Sequence, residues 1–315
     1  MKRLISILVS LTILVIIYTR IDFSGLIEVF LDCHIAWMIV SLAMVIPITG
    51  FTAWRLQQLL PPQATIGLWE ANKLILAASV LNMVLPSKMG DIAKAYFMRE
   101  RGNLSGSLSL SIVVFEKACD MLSLLLWCAF GLLLYPRKDA FFAVMTVGIV
   151  GGLTVGLLLL SSRAFAQTFF RLARRLTPRK ISLKLETLQT SWGEMHGYFW
   201  SDRAQLLKIA LTSIFVWFLH LLQIWFFILA LNAWVNPVTN LALSPLAILA
   251  GLLPLTFAGV GTRDAALIAL YEPYFSAATG AALGLLCTSR YVLPAIGGLP
   301  FLNQYLSTVR LMQKR

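Results

Sequence analysis

Charged residues are scarce in this chain. They make up 13% of the sequence against 59% hydrophobic residues, and the mean hydropathy is +0.81. An ordinary soluble domain carries about 25% charged residues, so a water-solvated surface is excluded over most of the chain. The three histidines are widely separated, and the four cysteines (Cys33, Cys119, Cys128, Cys287) have no metal or redox spacing. Metal chemistry is therefore not expected, no cofactor is implied, and the cysteines read as packing residues. The sequence also lacks a Gly-x-Ser-x-Gly elbow, a His-Glu-x-x-His helix and a phosphate loop. Its longest polar stretch, about 44 residues, is short of the roughly 100 residues of a typical catalytic domain. Segments of about ten residues that alternate apolar and polar are missing too, which excludes a membrane β-barrel.

What the chain has is long apolar runs, several near or above the 20 or so helical residues that cross a bilayer. The fold class is all-α, a polytopic integral membrane protein. Residues 4–18 follow Lys2 and Arg3 and precede no small-x-small cleavage site, so they read as a retained first helix. Further spanning helices are expected over 35–53, 107–135, 141–160, 206–234 and 276–299. Residues 161–205 read as a long basic loop, in which 192–200 (WGEMHGYFW) forms a short interfacial helix.

The net charge of +12 is mostly a matter of topology. Arg163, Arg171, Arg174, Arg175, Arg179, Lys180, Lys184 and Arg203 lie in the long loop; Arg55, Lys73, Lys88, Lys94, Arg99 and Arg101 lie in 54–103. The positive-inside rule places both segments, and both termini, in the cytoplasm. This locates the protein in the cytoplasmic membrane and leaves no role for nucleic acid. Termini on one side require an even number of crossings, and the six helices satisfy this only if two interrupted stretches, about 69–101 and 243–271, do not cross. These are expected as re-entrant helix pairs, one entering from each side, within a single membrane domain over 1–315.

The two stretches resemble each other. The first contains VLPSKMGDIAKAYF, the second LLPLTFAGVGTRDAALIALY. Each has an apolar helix, Leu-Pro, a turn with glycine and a cation, an aspartate, and an Ala-rich helix ending near an aromatic residue. Opposed broken helices mark substrate sites in transporters built from inverted repeats. Backbone freed at membrane depth must face protein or a water-filled cavity. Pro86 ends a helix, Gly90 permits an unusual backbone angle, and Asp91 stands near the cap of the next helix, whose free N–H groups with Lys88 form an anion site. In the second stretch Pro254, Gly259 and Gly261 shape the backbone. Arg263 is suited to gripping an anion bidentately, and Asp264 to capping the next helix or pairing with Arg263.

Glu116 and Asp120 are four apart on one face of a membrane helix, where like charges repel and each charge costs about 2.5–3.5 kcal/mol to insert. Arg263, Arg290 and Lys117 are the expected partners. A lattice that locks helices, a contact with substrate and a proton relay are all compatible with the pair.

These residues carry a family resemblance. NMVLPSKMGD, EKACD and PLTFAGVGTRD resemble the motifs of the lysylphosphatidylglycerol synthase transmembrane family, roughly N-x-x-L-P-x-R-x-G-D, E-R-x-x-D and P-x-x-x-x-G-x-G-x-R-[DE], in the same order and over nearly the whole chain. Lys88 and Lys117 stand where the family has arginine. The resemblance implies facing re-entrant helices and lipid translocation. It does not imply aminoacyl transfer, which belongs to a separate soluble domain. The expected function is flippase-like transport, without enzymatic activity, of an anionic lipid, either a phospholipid or a polyprenyl-linked glycolipid. The expected substrate-binding residues are Lys88, Asp91, Glu116, Asp120, Arg263, Asp264 and Arg290. Two alternatives are a non-catalytic accessory subunit partnered with a membrane-bound lipid or glycan transferase, and a transferase that itself uses polyprenyl phosphate.

Overall fold

In a computed structural model, residues 23–84, 89–135, 140–253 and 260–305 are described. The expected helix at 4–18 lies outside them, as do Pro86, Lys88, Pro254 and Gly259. Helices joined by short turns make up the described residues, with no strand among them. In chain order the helices are α1 (Phe23–Leu31), α2 (Ile35–Ala43), α3 (Val45–Leu59), α4 (Leu68–Val84), α5 (Met89–Gly102), α6 (Gly106–Leu134), α7 (Ala140–Ser161), α8 (Arg163–Leu176), α9 (Arg179–Phe199), α10 (Arg203–Ala230), α11 (Pro237–Gly251), α12 (Thr262–Tyr271) and α13 (Ala277–Leu302).

Among the described residues, five segments are long and apolar enough to cross a membrane: Ile35–Leu59 (α2 with α3), α6, Phe142–Ser161 within α7, α10 and α13. All five are expected from the apolar runs. The break at Met44 follows from Pro47, which has no N–H to give the Ala43 carbonyl and crowds it.

The chain forms two compact units of interleaved segments, and each spanning segment is divided between them. The first unit comprises 1–48, 124–149 and 216–294. Just beyond α10, Asn232 has a φ of 52° that turns the chain, and its side-chain amide donates to the Asp32 carbonyl. The backbone N–H of His34 donates to Ala230 O at 2.8 Å, and Trp37 stacks on Phe226 with centroids 5.4 Å apart. Where α6 meets α11, a methyl on Gly131 would overlap the Ala242 carbonyl, so these backbones touch directly.

The second unit comprises 49–123, 150–215 and 295–315. Its core gathers Leu56, Leu74, Phe97, Ile112, Phe115 and Tyr305, with Phe115 stacked on Phe199 at 4.0 Å. Residues 163–199, expected as a loop with a short helix near its end, instead form α8 and α9. The aromatic segment 192–200 packs on protein: the indoles of Trp192 and Trp200 donate to the Leu159 and Leu160 carbonyls at 3.0 and 2.9 Å. Those are last-turn carbonyls of α7, which have no partner within their own helix.

Each unit holds one interrupted stretch, folded as an antiparallel hairpin. In the second unit α4 packs on α5. Near the turn, Gly90 is so close to α4 that a methyl there would overlap the Ala78 carbonyl. At the open end, Thr65 Oγ1 donates to Arg101 O at 3.0 Å, so the chain leaves where it entered. In the first unit α11 packs on α12; Gly251 lies against Arg263, and Tyr271 returns to Asn240 and Ser244. The 17 residues of α4 extend about 26 Å, short of a hydrocarbon core of about 30 Å, and α5, α11 and α12 are shorter still.

Candidate functional site

The second unit carries six charges that meet at the hairpin. Arg55, on α3, is 2% exposed. Its Nη2 lies 3.2 Å from Glu116 Oε1, its Nη1 2.5 Å from Asp120 Oδ1, and Nη1 also donates to Ser213 Oγ on α10 at 3.3 Å. The other Glu116 oxygen accepts from Lys94 of α5, which is 3% exposed. Lys117 Nζ stands 3.5 Å from Asp91 Oδ2 and 3.5 Å from Asp120 Oδ2. Asn82 Nδ2 donates to Asp91 Oδ1 at 3.4 Å.

The arrangement answers a physical problem. Two carboxylates one helical turn apart repel, and the planar guanidinium fork of Arg55 spans both. Arg55, Lys94 and Lys117 against Glu116, Asp120 and Asp91 sum to zero, as burial in a membrane protein demands. The site is graded: the side chains of Arg55, Glu116 and Lys94 are 2%, 2% and 4% exposed, whereas Lys117 is 47% exposed. It is sealed on one side and open at the other.

One of the expected partners is present and two are new: Glu116 is held by Arg55 and Lys94, and Asp120 by Arg55 and Lys117, not by Arg263 or Arg290. Lys117, one residue on from Glu116 and so directed away from it, reaches Asp91 and Asp120. Gly90 is also corrected: it lies in the first turn of α5 and serves the close approach to α4, not an unusual backbone angle. A count of basic residues treats Arg55 and Lys94 only as cytoplasmic loop charges. Their helical register carries the missing signal. Arg55 falls on a stripe with the buried Ile48, Leu56 and Leu59, and Lys94 on one with Gly90, Ala93 and Phe97.

In the first unit Arg263 is 3% and Asp264 7% exposed. Arg263 donates to Asp264 Oδ1 through Nε at 3.0 Å and Nη2 at 2.7 Å. Nη2 also reaches Gly284 O and Thr288 Oγ1, each at 2.9 Å, which fastens α12 to α13. Asp264 Oδ2 accepts from the N–H of Gly261 at 3.0 Å. Asp264 thus does both things anticipated for it, capping α12 and pairing with Arg263. Gly261 has φ 101°, a conformation for which glycine alone is suited. At the open end of this hairpin the oxygens of Asn240, Ser244 and Tyr271 stand 2.8–2.9 Å apart in a buried triangle, in which the two hydroxyl protons make two hydrogen bonds at a time. Arg290, on α13, keeps a buried Nε with no hydrogen-bond partner among the described residues.

A family model described as "Lysylphosphatidylglycerol synthase TM region" matches residues 3–298. The chain belongs to this family. The family is a transmembrane region, and the protein is accordingly an integral membrane domain. Comparison with curated proteins and with solved structures found no match in either.

Proposed function

We propose that this member of the lysylphosphatidylglycerol synthase transmembrane family is a flippase-like transporter of an anionic lipid, without enzymatic activity of its own, in the cytoplasmic membrane with both termini in the cytoplasm. The observation that carries this reading is the open edge of a neutral, otherwise sealed charge lattice at the turn of a hairpin. A lattice built only to lock helices has no need of a half-exposed lysine. Lys117, shared between Asp91 and Asp120 at 3.5 Å each, is loosely held and can exchange a carboxylate for a phosphate without breaking the Arg55 core.

In this reading Lys117 and Lys88, with the N–H groups at the start of α5, receive the head group. Asp91 and Asp120 hold Lys117 when no lipid is present. Glu116 is assigned to the lattice, and Arg263 and Asp264 to keeping the second turn in shape. The re-entrant character of both hairpins is part of the proposal, supported by their lengths and by the return of each chain to its point of entry. The basic residues of 54–103 and 161–205 support the orientation.

The test is dithionite bleaching of a fluorescent anionic lipid in vesicles containing the purified protein. Lys117→Gln and Lys88→Gln should each lower the protein-dependent rate about tenfold or more, which corresponds to about 1.4 kcal/mol of lost head-group contact. Wild-type rates in both variants, with normal yield and melting, would remove the reading.

A further inference from the structure

The hairpin of α8 and α9 presents a surface that the transport reading does not use. Helix α8 begins one residue after α7, a membrane span, and α9 ends three residues before α10, another span. Trp192 and Trp200 tie α9 to the last carbonyls of α7. Both ends of the hairpin are thereby pinned to the ends of spanning helices, at the membrane surface.

The 14 residues of α8 include Arg163, Arg171, Arg174 and Arg175, so it can lie along a membrane but not cross it. Three faces are distinguishable. One packs on α9 through Ala166 and Phe170, 2% and 8% exposed, with Phe170 edge-on to Trp192 at 6.3 Å. Arg163 and Arg174 are used within the hairpin, donating to His196 Nδ1 at 2.9 Å and pairing with Glu186 at 3.3 Å. A second face shows Phe169, Leu172 and Leu176, which are 40%, 56% and 77% exposed and lie at helical spacing on one stripe. The third, bordering that stripe, carries the exposed Arg171 and Arg175.

We infer that α8 is an anionic-lipid-binding helix: Phe169, Leu172 and Leu176 insert among the acyl chains of the leaflet it lies on, and Arg171 and Arg175 hold the phosphates of that leaflet's head groups. The choice of an anionic bilayer as occupant follows from charge and place together. The apolar stripe is at bilayer depth because α8 leaves a spanning helix after a single residue. The cations beside it are the two arginines of α8 that make no ion pair or hydrogen bond within the hairpin among the described residues. Serine at 162, whose Oγ accepts from Phe165 N at 3.2 Å, turns the chain sharply from α7 into α8.

The experiment uses the full-length protein with Cys33→Ser and a single introduced cysteine carrying an environment-sensitive NBD probe, reconstituted in phosphatidylcholine vesicles with or without phosphatidylglycerol. With Leu172→Cys, emission should shift to the blue and be quenched by brominated acyl chains when phosphatidylglycerol is present, and should revert as salt is raised. With Gln167→Cys, an exposed position on the opposite side of α8, the probe should stay water-like throughout. Arg171→Gln and Arg175→Gln should each lower the insertion constant about 5-fold. Equal emission at Leu172→Cys in neutral and anionic vesicles, a water-like probe in both, or a blue shift at Gln167→Cys as well, would each overturn the inference. The substituted positions on α8 are all exposed, so folding is not at stake.

Discussion

Arg55 is gripped by two carboxylates that would repel each other without it. Removing it by Arg55→Leu leaves Glu116 and Asp120 buried on one helix face with Lys94 and Lys117 as their remaining cations. Breaking a buried ion pair from one side costs about 3–5 kcal/mol, so the melting temperature in detergent, followed by tryptophan fluorescence, should fall sharply. Lys117→Gln removes two looser contacts at a half-exposed residue and should cost less than about 1 kcal/mol. Equal losses for the two variants would mean that Lys117 belongs to the sealed part of the lattice. At the second hairpin, Gly261→Ala forces a side chain onto a φ of 101°. That should cost about 1–2 kcal/mol and is read in the same melt.

The hairpins depend on close approach between helices more than on their turns. Gly90→Ala sets a methyl against the Ala78 carbonyl, which is backbone and cannot rotate away; a loss of about 1–3 kcal/mol is expected. The open end of the same hairpin is latched by Tyr305, whose hydroxyl donates to Glu70 Oε1 at 2.6 Å while Arg101 lies over its ring at 5.3 Å. Burial, and then the Glu70 carboxylate, push the Tyr305 phenol up from its ordinary value. A raised phenol holds its proton more tightly in the folded protein, so its contribution is complete below about pH 10 and is lost only above that. Tyr305→Phe should lower stability by about 1 kcal/mol at neutral pH, read as a lower melting temperature, and should flatten the alkaline fall expected of the wild type. The hairpins are legible in the sequence because little besides a helix break brings proline, glycine and charge together inside an apolar run. The helices of 163–199 are not, because arginines and lysines suit a solvated loop equally well and mask the apolar register at 165, 169, 172 and 176. Arg55 and Lys94 are hidden by the same effect: charge assigns each to a membrane boundary, while register places it among core residues.

For the molecule as a whole, the five segments apolar enough to cross a membrane and the two hairpins seen among the described residues explain why so few charges suffice. The six charges of the lattice cancel. That cancellation has an electrical consequence. One elementary charge carried across a membrane at 100 mV exchanges about 2.3 kcal/mol with the field. A neutral lattice of three cations and three carboxylates, drawn from α3, α5 and α6, exchanges almost none if it shifts as one body. Any current in the transport cycle would then be the lipid's own charge. On a solid-supported membrane, a rapid change of lipid supply should give a transient whose sign follows the head group and disappears with a zwitterionic lipid, whatever the hairpin does. A protein of +12 formal charge would in that sense be electrically silent where it moves.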